Sequence, residues 1–189
     1  MRVIAGTARS MPLKTISGLD TRPTTDRIKE TLFNMLMPYI PDADFLDLFA
    51  GSGQIGIEAL SRGARSAVFV DNAKAAQDCI KDNLKFTRFS DKAVVTRMDV
   101  LSYLSTLKLV TSDLIFMDAP YESGLNMEAL RILGNKEFKY EDTLIVCEDL
   151  KEADYSEVLS LGYEIVKEKI YKTNKHIFIR KAGEEKADD

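Results

Sequence analysis

The run Asp47-Leu48-Phe49-Ala50-Gly51-Ser52-Gly53-Gln54-Ile55-Gly56 leaves an apolar strand and opens a helix. In doubly wound sheets, ligands bind outside the carboxyl ends of strands, where strand order reverses. Gly51 and Gly53 let the backbone turn sharply and approach a ligand closely, and with Gly56 they satisfy the G-x-G-x-x-G fingerprint. Asp71 ends the next strand, eighteen residues after Gly53 and followed by Asn72, which offers a carboxylate to ribose hydroxyls. The pattern predicts a nucleoside cofactor without saying which. Asp47 narrows the choice, because a dinucleotide does not call for an acid four residues before the first glycine. A cofactor with a cationic amino-acid moiety does, and S-adenosylmethionine carries both an ammonium and a sulfonium. Asp99 and Val100, after the third strand, would meet the adenine edge. The predicted cofactor set is therefore Asp47, Phe49, Ala50, Gly51, Ser52, Gly53, Asp71, Asn72, Asp99 and Val100.

A second run, Asp118-Ala119-Pro120-Tyr121, follows the apolar strand Asp113–Met117. It resembles the Asp/Asn-Pro-Pro-Tyr/Phe signature of methyltransferases that modify exocyclic amines on nucleobases, with Ala119 in place of the first proline. An exocyclic amine has its lone pair delocalised into the ring and is a poor nucleophile. The Asp118 carboxylate and the Ala119 carbonyl, held by Pro120, can accept its two N–H bonds and favour a more tetrahedral nitrogen. Tyr121 can stack on a base drawn out of its helix. Positioning and electrostatics supply the catalysis, and no metal is called for.

The remaining composition excludes other chemistries. His176 is the sole histidine and lies between Lys175 and Ile177, a poor place for a catalytic base. Cys79 and Cys147 are the sole cysteines and read as reduced core thiols, so neither a Cys/His zinc site nor a Ser-His-Asp triad is expected. With 189 residues, 45% of them hydrophobic and 30% charged, the chain suits one α/β domain. No apolar run approaches the roughly 18 residues that span a bilayer, and residues 1–9 lack a signal-peptide pattern. A cytoplasmic monomer is the expectation. The net charge of −4 is uneven, since residues 1–40 carry +3 and the rest −7, and a local positive field is what a polyanion feels.

These residues need elements to place them. Arg2–Ile4 and Leu13–Ile16 read as two strands around Gly6 and Pro12, and Thr24 or Thr25 can cap a helix that Pro38 and Pro41 end. From Asp44 the pattern alternates, with strands at 45–49, 66–70, 93–96, 113–117 and 143–147 and helices at 54–62, 73–86, 100–107 and 126–133. A short helix near 155–159 and a strand pair at 163–171 and 175–180 complete it. The expected fold is α/β and Rossmann-like, of the class I S-adenosylmethionine-dependent methyltransferase kind. Its mainly parallel seven-stranded sheet has an antiparallel C-terminal strand and follows a small N-terminal β-hairpin. The expected division is an RNA-binding hairpin extension over 1–20, a methyltransferase domain over 21–182 and a disordered tail over 183–189.

Taken together, the chain resembles the bacterial small-subunit (16S) ribosomal RNA guanine-N2 methyltransferases, the RsmD family, over nearly its whole length. The most specific part is Arg22-Pro23-Thr24-Thr25-Asp26-Arg27-Ile28-Lys29-Glu30-Thr31-Leu32-Phe33-Asn34, with the glycine loop and Glu58-Ala59-Leu60-Ser61-Arg62-Gly63-Ala64 in support. The resemblance implies methyl transfer to N2 of one guanine in small-subunit rRNA, presented by an assembling ribosomal particle. It implies that Gly51, Ser52 and Gly53 wrap the methionine part above Asp47, that Asp71 holds the ribose, and that Asp118, Ala119, Pro120 and Tyr121 receive the base. Arg22, Thr24 and Thr25 would line the mouth between cofactor and RNA, and Arg2, Arg9 and Arg27 would join them in binding the substrate. The N-terminal segment carries fewer Gly and Arg than is usual in the family, and Asp71 stands where Glu is common. Three rivals remain at this point: an N6-adenine methyltransferase of DNA or another RNA, an NAD-dependent oxidoreductase, and a non-enzymatic RNA-binding assembly factor.

Overall fold

A computed structural model describes residues 1–16 and 26–183. Thr24 and Thr25, the predicted helix caps, and Arg22 lie outside the described residues. Helix α1 (Asp26–Leu36) precedes the alternating series β1 (Asp44–Leu48), α2 (Gln54–Ser61), β2 (Ser66–Asp71), α3 (Lys74–Thr87), β3 (Ala93–Arg97) and α4 (Val100–Thr106). There follow β4 (Leu109–Val110), β5 (Leu114–Met117), α5 (Leu125–Gly134), β6 (Glu137–Phe138), β7 (Leu144–Leu150), β8 (Tyr163–Ile170) and β9 (Asn174–Lys181). The short helix predicted near 155–159 is a 3-10 segment over Ser156–Leu161.

Seven strands form one sheet in the order β3-β2-β1-β5-β7-β9-β8. Pairing is parallel from β3 to β7, and β9 enters antiparallel between β7 and β8. Alternation along the strands divides the core. Phe45, Phe69, Phe116 and Val146 face the layer of α1, α2 and α3, whereas Leu46, Leu48, Ile115, Met117 and Cys147 face α4 and α5. Both cysteines are buried and free, as expected of core thiols. Strands β4 and β6 form a separate two-stranded ribbon that no apolar period announced.

The N-terminal segment differs from the two strands expected. Among the described residues it is a loop closed by one antiparallel bridge, Arg2 to Pro12. Val3 N–H donates to the Met11 carbonyl at 3.0 Å and Leu13 N–H to the Met1 carbonyl at 3.1 Å across this bridge, whereas the donors that follow Val3 turn to α2. Ile4 and Ala5 N–H donate to the Glu58 carboxylate at 2.8 and 3.0 Å, and Thr7 N–H donates to the Ser61 carbonyl at 2.8 Å. Glu58 is fully buried and also receives Arg62 Nε at 2.8 Å and Lys29 Nζ at 3.5 Å. A buried carboxylate matched by two cations and two backbone N–H groups is satisfied. It fastens residues 1–8 to the sheet-covering helices.

Candidate active site

Strand order reverses at β1, which has β2 on one side and β5 on the other. Crossover helices leave in opposite directions there and open a crevice at the carboxyl ends. The two sequence runs singled out above emerge on either side of that crevice, one after β1 and one after β5.

The glycine loop is shaped by backbone conformation and two acids. Gly51 and Gly53 have φ of 54° and 76°, and the bulky Phe49 is held at φ 60°, where a side chain is strained. A Cβ on Gly51 would meet nothing within 4 Å, so the loop faces open space there. A Cβ on Gly56 would lie 2.3 Å from the Phe69 ring, so this glycine lets α2 approach β2. Asp47 is 1% exposed, and its Oδ2 accepts the Gly56 N–H at 2.8 Å. Burial drives its carboxyl up to about 8, against the smaller pull of the Gly56 bond. Asp71 is half-buried and accepts Gly51 N–H at 2.9 Å through one oxygen and Ala73 N–H at 2.9 Å through the other. It therefore builds the loop, whatever else it holds. Exposed Asn72 follows it, and exposed Asp99 accepts Ser102 N–H at 2.9 Å as the N-cap of α4, directly before buried Val100. All ten predicted cofactor residues thus lie at the carboxyl ends of β1, β2 and β3.

Asp118 follows β5 and is half-buried, with no hydrogen-bond partner for its carboxyl among the described residues. Burial first, and then the charges of Glu148, Asp47 and Asp149, raise its proton affinity well above that of an ordinary carboxyl. Ala119 is buried, Pro120 exposed, and the Tyr121 ring is 44% exposed. The Tyr121 hydroxyl points to Glu148 Oε1 at 3.4 Å. Sequence reasoning had ended this neighbouring strand at Cys147; β7 runs on to Leu150 and brings Glu148 beside the loop. His176, set aside in the sequence as a poor place for a catalytic base, is fully buried behind Glu148 on β9.

Of the predicted substrate-binding residues, Arg2, Arg9 and Arg27 lie within the described residues, Arg2 and Arg9 in the N-terminal loop and Arg27 in α1. Exposed Arg2 pairs with Asp26 at 2.9 Å, while exposed Arg9 and Arg27 have no ion pair among the described residues. The N-terminal segment reaches the cofactor loop itself. Ser52 Oγ donates to the Met1 sulfur at 3.5 Å, and Asn83 bridges the Ser52 and Lys14 carbonyls.

Residues 1–180 match the family described as Conserved hypothetical protein 95. A Haemophilus influenzae protein named ribosomal RNA small subunit methyltransferase D is 36% identical over 171 residues, 89% of this chain and 88% of that one. The chain belongs to this family. A Bacillus subtilis relative, YlbH, named as a candidate rRNA methyltransferase, is 39% identical over 161 residues, 84% of this chain and 88% of that one. Among solved structures, the Escherichia coli protein yhhF, described as a candidate methyltransferase, superposes with a TM-score of 0.82 at 33% identity. That superposition covers 97% of this chain and 98% of the other. The two chains therefore share one overall fold. Among the described residues no helix is long and apolar enough to cross a membrane, and no cluster of His, Cys, Asp and Glu suits a metal ion.

Proposed function

We propose that the protein transfers a methyl group from S-adenosylmethionine to the exocyclic N2 amine of a guanine in small-subunit rRNA. We place the substrate within an assembling ribosomal particle and take the protein to act as a monomer. The observation that carries the reading is the meeting of two loops at one switch point. One has a buried acid under an open glycine turn, and the other presents an unpartnered carboxyl beside an exposed aromatic ring. The name of the Haemophilus influenzae relative supports rRNA of the small subunit as the substrate class.

The residues present fit this cofactor. Asp47 is a buried carboxyl with one backbone donor, and a cation above it would relieve the desolvation that now favours its proton. The Gly51 turn leaves open space for a ligand, and Asp71, Asn72 and Asp99 line the adjoining strand ends. S-adenosylmethionine supplies the electrophilic methyl group. The chain supplies orientation: Asp118 and the Ala119 carbonyl accept the two amine N–H bonds and turn the nitrogen lone pair toward the methyl. As that nitrogen gains positive charge, the Asp118 carboxylate stabilises it more than it stabilised the neutral amine, which is the differential that lowers a barrier. Tyr121 offers its exposed ring as a stacking face. In this reading the 1–16 segment, with Arg2 and Arg9, and Arg22, Thr24, Thr25 and Arg27 contact the RNA.

The deciding experiment uses labelled S-adenosylmethionine and small ribosomal particles from cells lacking this protein. Digestion of the RNA and identification of the labelled nucleoside is expected to give N2-methylguanosine. Labelled N6-methyladenosine would overturn the target, and no label with cofactor binding intact would overturn the enzymatic reading.

A further inference from the structure

Behind the Asp118 loop lies a group of buried polar side chains that the chemistry above does not use. Glu148, Asn174 and His176 are 4%, 5% and 0% exposed. Glu148 Oε1 accepts Asn174 Nδ2 at 2.7 Å, Glu148 Oε2 lies 3.1 Å from His176 Nε2, and His176 Nδ1 lies 3.1 Å from the Tyr171 hydroxyl. Edge-on contacts with the Tyr171 and Phe116 rings, at 5.2 and 6.3 Å between centroids, fix the plane of the imidazole. Apolar residues of similar volume at these positions would serve stability as well or better, so the cluster calls for another reason.

Its geometry supplies one. Residue 148 touches the loop that follows β5 in more than one place. Met117 pairs with Cys147, so the loop and residue 148 start level as the two strands continue. In mid-loop, the Tyr121 hydroxyl faces Glu148 Oε1 at 3.4 Å. At the far end, buried Asn126 of α5 donates through Nδ2 to the Glu148 carbonyl at 2.9 Å. Residue 148 therefore holds the middle of the loop through Tyr121 and the first turn of the helix that follows it through Asn126. The 3.4 Å contact is long for a hydroxyl bond and has room to shorten once a base lies against the ring.

We propose that Glu148, held in orientation by Asn174, His176 and Tyr171, is a positioning residue that sets the Tyr121 ring and the Asp118 loop against the target base. The proposal rests on the methyl-transfer reading. With Glu148 as acceptor, the imidazole donates from Nε2 while its Nδ1 faces the Tyr171 hydroxyl, so the cluster is a connected chain from β9 to the loop.

Because His176 is the sole histidine, its two imidazole nitrogens give an unambiguous NMR signature in the full-length protein. The expected signature is a proton on Nε2, the nitrogen that faces Glu148. Tyr171→Phe, a half-buried change far from the cofactor loop, is expected to shift both nitrogens and lower turnover several-fold. Glu148→Gln is expected to lower turnover by about ten-fold, with the KM for S-adenosylmethionine within about two-fold of wild type. Tyr121→Phe is expected to move the His176 signals although it does not touch the ring, which a purely structural cluster would not show. Should Glu148→Gln fail to fold, Tyr171→Phe and the imidazole spectrum decide. Folded variants with turnover within about two-fold of wild type, or His176 signals indifferent to Tyr121→Phe, would overturn the positioning role. No product from the wild-type protein would instead overturn the methyl-transfer reading on which that role stands.

Discussion

Asp47 and Asp118 are carboxyls in different predicaments, and each yields a test. Asp47 accepts the Gly56 N–H and is buried, and that burial raises its carboxyl to about 8. The native state therefore holds a proton that the unfolded chain has already released at neutral pH. Stability is fullest below the ordinary carboxyl range near pH 4 and is lost as pH rises toward about 8. Asp47→Asn keeps the Gly56 bond through its amide oxygen and removes the penalty. Without cofactor, the variant should be more stable than wild type at pH 9 by on the order of a few kcal/mol, and indistinguishable from it near pH 4. It should also bind S-adenosylmethionine more weakly. Thermal unfolding across pH checks the first statement and calorimetry the second; parallel stability curves would sink it. For Asp118, which has no hydrogen-bond partner among the described residues, Asp118→Ala is expected to abolish methyl transfer while cofactor affinity stays within a few-fold. Retained turnover in the labelled-particle assay would remove Asp118 from the reaction.

Among elements, helix α2 has the tightest demands. It lies against β2 at Gly56 and receives the N-terminal loop at Glu58 and Ser61. A methyl group on Gly56 would press into the buried Phe69 ring, so Gly56→Ala is expected to destabilise by about 1–3 kcal/mol and to loosen the Asp47 bond. Denaturant unfolding with and without cofactor measures both effects, and an unchanged midpoint would show that Phe69 yields freely. The same scale shows what the sequence could and could not reveal. Strands β1, β2, β3 and β5 and their helices were legible because apolar runs ended in Gly or Asp at strand tips. The docking of the 1–16 segment onto α2 was not, because the acceptors that take the Ile4, Ala5 and Ala8 N–H groups lie more than fifty residues away, at Glu58 and Ser61. His176 and Glu148 were unreadable for a related reason. Residues 174–179 are all buried, so β9 lacks the polar–apolar alternation that would have told one face from the other. Glu148 meets His176 only through an antiparallel register that local pattern does not encode.

For the whole molecule, charge is segregated in sequence and only partly in space. The chain totals −4, yet Arg9 and Arg27 stand exposed and without ion pairs among the described residues on the flank of the N-terminal loop and α1. If this flank meets phosphates, removing either cation should weaken particle binding and lower the salt slope by about one. Arg2, paired with Asp26, should contribute less. Binding measured at several salt concentrations separates the cases, and an unchanged slope in Arg9→Ala and Arg27→Ala would place the RNA on another face.

The position of β9 within the sheet has a consequence for how the protein comes into being. The strand that carries His176 follows all the others described, yet it is inserted between β7 and β8 and not added at an edge. While a nascent chain is still emerging, the first three strands and both glycine-loop acids can be assembled, but the wall behind the Asp118 loop is missing. The glycine loop would then be built before the Asp118 loop has its backing, and that backing would be complete only once β9 has emerged and inserted.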